Sequence, residues 1–195
     1  RTLVAILVTD FGALLRAACP DLPRQAHEQM DAARGAGVIQ RMELGGVLLA
    51  RHAPRRLAAL ARHPSDTVRG WVAYAVTRGP EPAPAAPGAP APGAPPSLDR
   101  VLDAIRPLAA DTHSGVREWA WIAARPAVAR ELDRALALLQ PWTLDADDNI
   151  RRFASEITRP RGVWCAHLEP LKRDPTPGLV LLEPLRADPA RYVQN

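Results

Sequence analysis

The sequence predicts an all-α protein, a right-handed curved array of paired helices that forms one domain over residues 1–195. Three observations support this fold class. Alternation of apolar and polar residues with period 2 is scarce, and the Asn-Gly and Asp-Gly pairs of tight hairpins do not occur. Apolar residues recur at helical spacing throughout the chain, between Pro and Gly residues that end helices. One short pattern also recurs along the chain, as in repeat proteins.

The starts of many helices are marked by Ser, Thr or Asp caps, or by Pro in the first turn. Pro64-Ser65-Asp66 and Asp145-Ala146-Asp147 are two such starts. The predicted helices, in chain order, are 2–9, 10–18, 23–34, 37–51, 54–62, 65–78, 97–110, 114–125, 127–140, 147–158, 163–172, 177–186 and a last helix that starts near residue 189.

Residues 79–96 interrupt the helical pattern with the sequence GPEPAPAAPGAPAPGAPP. Because Pro fixes φ and lacks a backbone donor, this segment is excluded from helices and central strands. We expect a disordered Pro/Ala/Gly-rich loop within the array. A ligand for a partner domain is an alternative, but the basic anchors that flank such ligands are missing.

The recurring pattern is a β-branched residue, an arginine, an aromatic residue and a small residue. Its copies begin at Val68, Val116 and Ile150, and a fourth copy runs from Asp188 to Val193. The spacings of 48, 34 and 43 residues fit paired antiparallel helices of the HEAT type. We expect the β-branched, aromatic and small residues to face neighbouring helices. The second helix of each pair then lines the concave face.

Composition favours a reduced, cytoplasmic protein with a polyanionic partner. The net charge is +4, and Lys172 is the only lysine beside the many arginines. Arginine suits bidentate contact with phosphate, although the codon bias of a GC-rich genome also explains its excess. Two cysteines cannot form a disulfide framework, and no apolar run approaches the roughly 20 residues of a membrane span. The chain begins with Arg1, and we expect a fragment that is truncated at both ends.

Two helices place acidic and basic residues on one face. Arg152, Glu156 and Arg159 share a face of the predicted helix 147–158, and Glu118, Ile122 and Arg125 take the same places on 114–125. The sequence therefore predicts a basic stripe interrupted by two carboxylates. An exposed i,i+4 ion pair without function is the alternative for Arg152 and Glu156.

The tryptophans and histidines give weaker signals. Trp164 follows a Pro/Gly turn, where a packing role competes with a ligand platform. Trp71, Trp119 and Trp121 fit the core, and Trp142 fits a loop cover. The histidines have no metal-ligand spacing, and Cys165-Ala166-His167 supplies too few ligands for zinc. We expect no metal and no cofactor.

Residues 64–195 resemble the DNA alkylation repair glycosylases built from HEAT-like repeats, the AlkC/AlkD type, and are closer to AlkC. The motifs that carry the resemblance are SDTVRGWVAYAV (65–76), HSGVREWAW (113–121), NIRRFASEITRPRGVW (149–164), GLVLLEPLRADP (178–189) and RYVQN (191–195). The first 60 residues carry little of this signature, and the Pro-rich segment departs from it.

The resemblance implies a DNA glycosylase, active as a monomer without metal or cofactor, that excises N-alkylated purines such as 3-methyladenine from duplex DNA in base excision repair. It implies catalytic roles for Glu156, Trp164 and Glu118. The arginines and lysine expected at DNA phosphates are Arg152, Arg159, Arg161, Lys172, Arg173, Arg117, Arg125 and Arg151. The family pattern continues past RYVQN to a catalytic Asp. Without that continuation, the fragment is expected to have weak activity or none.

Two alternatives remain open at this stage. Most HEAT-type arrays are scaffolds that bind proteins, and such a scaffold predicts an apolar or acidic groove. A DNA-binding relative without activity is the other alternative. A cytoplasmic, nucleoid-associated location is expected for either DNA-binding protein.

Overall fold

The computed structural model describes residues 8–78 and 96–195, and these are all-helical, with no strand among them. The predicted fold class is therefore confirmed at the level of secondary structure. The helices are α1 (Phe11–Ala18), α2 (Arg24–Ala32), α3 (Val38–His52), α4 (Leu57–Leu60), α5 (Asp66–Arg78), α6 (Leu98–Ala109), α7 (Ser114–Arg130), α8 (Leu132–Leu139), α9 (Asp148–Ile157), α10 (Glu169–Arg173), α11 (Leu179–Leu182) and α12 (Arg191–Gln194).

Two predicted elements lie outside the described residues, almost entirely in both cases. They are the helix 2–9 and the Pro-rich loop 79–96. The chain forms two compact units, Arg1–Pro96 and Ser97–Asn195. The single domain, its curvature and its handedness stay predictions. None of the helices in the described parts of the chain has the length and apolarity needed to cross a membrane.

The first unit is built on the close packing of α3 against α5. Gly45 lies against the ring of Trp71 and Gly46 against Tyr74, so a side chain at either glycine would collide with α5. Trp71 is fully buried and meets the ring of Phe11 edge to face, with 5.6 Å between ring centroids. The two glycines of α3 therefore leave room for the aromatic side chains of α5 in the core.

In the second unit, α7 lies between α6 and α9, and α12 packs on α9. Trp142 covers this core from the turn after α8, as its sequence position suggested. Its ring lies 5.5 Å from that of Phe153, and the Arg106 guanidinium lies 4.9 Å from its centre.

The repeat pattern is confirmed as a core pattern. Val68 and Val116 are fully buried, and Ile150 is nearly so. The aromatic and small residues that follow them are buried as well: Trp71 and Val72, Trp119 and Ala120, Phe153 and Ala154. In the fourth copy, Val193 is buried too. Each copy thus presents the same apolar face of a helix to its neighbours.

The arginine of each copy has a structural role that the sequence did not reveal. Its guanidinium donates to the backbone carbonyl six residues earlier: Arg69 to His63 at 2.7 Å, Arg117 to Asp111 at 2.6 Å and Arg151 to Asp145 at 2.8 Å. In the fourth copy, the side-chain amide of Gln194 donates to the carbonyl of Asp188 at 2.7 Å. This side chain therefore fastens the turn that precedes each repeat helix.

Arg151 also forms a buried ion pair that joins the third and fourth copies. Its Nε and Nη2 donate to the Asp188 carboxylate at 2.6 and 3.0 Å, and the Asp188 side chain is only 5% exposed. These hydrogen bonds, above all, hold the pKa of Asp188 below its ordinary value, although burial opposes them. Because the folded-state pKa is the lower one, the pair stabilises the fold above the unfolded-state pKa of about 3.9. That stabilisation disappears as the pH falls through the folded-state pKa.

We expect Asp188→Asn to lower the free energy of unfolding at pH 7 by about 2 kcal/mol, the size of a charge-assisted hydrogen-bonded pair. The difference from the parent should vanish in acid, where Asp188 itself becomes protonated. Urea unfolding at pH 7 and at successively lower pH values measures both effects. Asp174→Asn is the control, because exposed Asp174 accepts a bond from the amide of Thr176, as Asp188 does from that of Ala190, but pairs with no arginine among the described residues. Equal losses from the two variants would contradict a stabilising role for the pair.

Two predicted helix boundaries are wrong. The helices 114–125 and 127–140 do not separate at Pro126, because α7 continues to Arg130 and buries Ala127 and Val128 in the core. The predicted helix 163–172 begins only at Glu169. The residues before Glu169 form a loop whose carbonyls bind a side chain of α7, as described below.

Candidate functional site

A small pocket in the second unit collects the charged residues of the repeat helices. Its lining includes Arg117, Glu118, Trp121, Arg152, Glu156 and Tyr192. They come from α7, α9 and α12, the helices of three successive repeats. The last three of the four copies thus meet around one opening.

Glu156 is the buried carboxylate of this pocket. It lies on α9, which begins at the Asp147 cap and buries Ile150, Phe153 and Ile157 in the core. The Glu156 residue is only 5% exposed. Its Oε2 lies 2.6 Å from Arg152 Nη2, and its Oε1 pairs with Arg159 Nη1. The ion pair is therefore buried, unlike the exposed pair that spacing alone allowed.

Glu118 stands at the edge of the same pocket on α7. The indole Nε1–H of Trp121 donates to Glu118 Oε2 at 2.5 Å. Glu118 is exposed as a residue, but partial burial of its carboxyl group raises its pKa, and the charge of Glu156 raises it further, while Trp121 and the nearby arginines oppose the change. Glu118 therefore holds its proton to a higher pH than an ordinary glutamate.

Trp121 was predicted to be a core residue, and it is buried, but it also orients a carboxylate. Tyr192 was not among the predicted site residues. Its hydroxyl accepts from Arg117 Nε at 3.0 Å, and its ring lies against the guanidinium of Arg152 at 5.5 Å. The i,i+3 spacing of Glu118 and Trp121 could have indicated the first role. Tyr192 gave no such signal, because it lies 40 residues or more from its partners.

Trp164 projects from a loop between α9 and α10. It is 43% exposed, and its neighbour Val163 is 89% exposed, so Trp164 does not plug the core. Gly162 lies directly against the Cys165 sulphur, so a side chain at position 162 would collide with it. The loop therefore folds tightly and carries an exposed aromatic tip.

Arg125 holds both ends of this loop. It is only 2% exposed. Its guanidinium donates to the carbonyls of Ile157 at 2.8 Å, Arg159 at 2.6 Å and Ala166 at 3.0 Å. The amide of Leu168 also donates to the carbonyl of Pro160, at 3.0 Å. These bonds engage the guanidinium of Arg125 inside the fold, and its predicted role at DNA phosphates stays a prediction.

The remaining predicted phosphate ligands fall into two groups. Arg117, Arg151 and Arg152 are engaged inside the fold, by the backbone carbonyls, Asp188 and Glu156 described above. The second group is Arg159, Arg161, Lys172 and Arg173. Arg161 and Arg173 are exposed and form no ion pair with another described residue, whereas Lys172 pairs with Glu169 at 2.7 Å. The free cations therefore lie on and after the Trp164 loop.

The described ranges 8–78 and 96–195 contain no group of three His, Cys, Asp or Glu residues placed to hold a metal ion. His167 Nδ1 instead lies 3.3 Å from Lys172 Nζ.

The fold is similar to that of a solved DNA complex. The alkylpurine DNA glycosylase AlkC of Pseudomonas fluorescens, bound to DNA containing an abasic site analog, matches with a TM-score of 0.66 and 23% sequence identity. The match covers 98% of this chain and 50% of AlkC, so the chain spans about half the length of that protein. The predicted resemblance to AlkC is thus confirmed for the fold. No protein-family model and no curated protein matches the chain.

Proposed function

We propose that the chain is the helical-repeat part of a DNA glycosylase that excises N-alkylated purines, such as 3-methyladenine, from duplex DNA in base excision repair. The observation that carries the proposal is the buried Glu156, held beside Glu118 and close to a loop with an exposed aromatic residue and free cations. The fold that it shares with a DNA-bound alkylpurine glycosylase supports the same reading. We further propose a cytoplasmic, nucleoid-associated monomer that needs no metal or cofactor.

The chemistry suits the residues of the pocket. An alkylated purine carries a positive charge and leaves as a neutral base with the electron pair of the glycosidic bond, so the sugar becomes positive. Water then adds to the sugar carbon that held the base and loses a proton. A carboxylate aimed at the sugar stabilises the transition state more than the ground state, and an aromatic face adds a cation–π contribution. Glu156, Glu118 and Trp164 supply these groups.

The two arginines at Glu156 differ in what they can do on DNA. The side chain of Arg152 is 19% exposed, and that of Arg159 is 55% exposed. A phosphate can therefore draw Arg159 away from Glu156 while Arg152 stays in place. This exchange leaves the carboxylate oriented by Arg152 and less neutralised when DNA is bound.

The protein-binding scaffold is less well supported. It predicts an apolar or acidic groove, whereas the pocket of this unit combines two arginines with two carboxylates. Such a pocket suits DNA, because its arginines attract the phosphates and its carboxylates attract the sugar that becomes positive in the proposed reaction.

Removal of an exposed cation at the loop should reduce the salt dependence of DNA binding. Each phosphate contact releases condensed counterions, so Arg161→Gln and Arg173→Gln should each lower the slope of log affinity against log salt by about 1. Binding of a fluorescent duplex at several salt concentrations measures the slope.

Arg134→Gln is the matched control, because its guanidinium already pairs with Glu131 and Asp99. The same charge is lost, but the slope should stay as in the parent. Affinity that is indifferent to salt between low and physiological ionic strength would rule out a phosphate-lined surface here.

The activity itself is tested with methylated DNA. The full-length protein should release 3-methyladenine from alkylated duplex in the presence of a chelator, as detected by chromatography of the free base. Binding of the duplex without release would identify a DNA-binding relative without activity. Absence of both would favour the scaffold.

A further inference from the structure

Tyr192 lies between two guanidiniums that belong to two other repeats. The carbon at the centre of the Arg117 guanidinium is 4.5 Å from the centre of the Tyr192 ring, and that of Arg152 is 5.5 Å from it. Its hydroxyl accepts from Arg117 Nε at 3.0 Å, and its backbone carbonyl accepts from Arg152 Nη1 at 3.4 Å. One residue of α12 therefore meets α7 and α9 through four contacts.

Tyr192 contacts the side of the Arg152 guanidinium that faces away from Glu156. Arg152 uses Nη2 for Glu156 and Nη1 for the Tyr192 carbonyl, so its guanidinium is anchored at both ends. Arg159, the other partner of Glu156, has no comparable anchor on its guanidinium among the described residues. The orientation of Glu156 thus depends on Arg152, and that of Arg152 on Tyr192.

We propose that Tyr192 is a positioning residue for excision, acting through Arg152 on Glu156. The inference rests on the proposed function, because it assigns Tyr192 a part in the same reaction. The ring makes the essential contribution, since it contacts the guanidiniums of both Arg117 and Arg152, whereas the hydroxyl contacts Arg117 alone. Tyr192 itself need not touch the substrate.

Three variants separate the ring from the hydroxyl. Tyr192→Phe keeps the ring and should excise within twofold of the parent. Tyr192→Ala and Tyr192→Leu remove the aromatic face, and the rate of excision should fall about tenfold in both, the effect of one desolvated cation–π contact. Leucine keeps most of the volume, so it preserves the test if the alanine variant is poorly folded. Duplex affinity should stay within about threefold of the parent, because no phosphate ligand is removed.

A double-mutant cycle with Glu156→Gln distinguishes positioning from general support of the fold. If Tyr192 acts through Glu156, Tyr192→Leu should have no further effect on the excision rate in the Glu156→Gln background. A tenfold loss that persists in that background would overturn the proposal. So would a Tyr192→Leu rate equal to that of the parent.

Trp142→Leu is the matched control, because it removes a comparable stack on Arg106 in the same unit without touching Glu156. It should leave the excision rate unchanged. All these variants are made in the full-length protein, and a full-length parent that excises nothing would overturn both the proposed function and the role of Tyr192. An active parent with additive Tyr192 and Glu156 effects would overturn only the latter.

Discussion

Replacement of Glu156 by Gln is expected to lower the rate of excision about a hundredfold. Glutamine keeps the shape of the side chain but removes the charge that, in the proposed reaction, faces the developing positive sugar. Loss of one preorganised electrostatic stabiliser typically costs about 3 kcal/mol in the transition state. The affinity for duplex DNA should hold or rise, because a negative charge leaves a surface that binds phosphates.

The measurement is a single-turnover reaction of the full-length protein, in excess over methylated duplex, so that the chemical step is observed. Glu131→Gln provides the matched control. Glu131 pairs with Arg134 at 2.9 Å on the surface, with 37% of its side chain exposed, and should be replaceable without effect. A Glu156→Gln protein that excises within twofold of the parent would return Glu156 to the role of a structural ion-pair partner.

The fold was predictable from the sequence because the apolar residues that recur in each repeat are the residues that form the core. Val116 and Trp119 recur as Ile150 and Phe153, and all four are buried as the pattern requires. The fourth copy was recognisable even though Gln194 replaces the arginine, since Val193 occupies the position of the β-branched residue. The boundary at Pro126 was not predictable, because burial of the following turn outweighs the local signal of proline.

The candidate site was only partly predictable, for a physical reason. Spacing on one helix put Glu156 beside Arg152 and Arg159, and the structure has both pairs. Spacing on a helix does not say which arginine turns inward. Arg125 and Arg159 hold equivalent places in their repeats, yet one is buried under a loop and the other is exposed. That difference arises from tertiary contacts with residues 157–168, which no local pattern contains.

Replacement of Arg125 by Met is expected to destabilise the second unit and release the loop that carries Trp164. Methionine fills much of the space but donates no hydrogen bond, so the carbonyls of Ile157, Arg159 and Ala166 all lose their charged partner. We expect the free energy of unfolding to fall by about 4 kcal/mol, since several charge-assisted bonds are lost at a buried site.

The local effect of Arg125→Met should be visible by hydrogen exchange. The amide of Leu168 donates to the carbonyl of Pro160 across the base of the loop, and its exchange should accelerate strongly once the arginine is gone. Excision should fall as well, because the loop that carries Trp164 and follows Glu156 along the chain loses its anchor on α7. Duplex binding should weaken less, since exposed Arg161 and Arg173 remain.

Arg130→Met is the control on the same helix, because exposed Arg130 makes one 3.3 Å bond to the carbonyl of Pro126. It should leave the stability and the exchange of Leu168 as in the parent. The two variants remove the same charge from α7, so any difference between them comes from the contacts that Arg125 makes with the loop. If Arg125→Met unfolds at the urea concentration of the parent and Leu168 remains protected, packing of the loop against Trp121 holds it instead. The position of Trp164 would then depend on α7 through an apolar contact, with Arg125 only filling the space beneath.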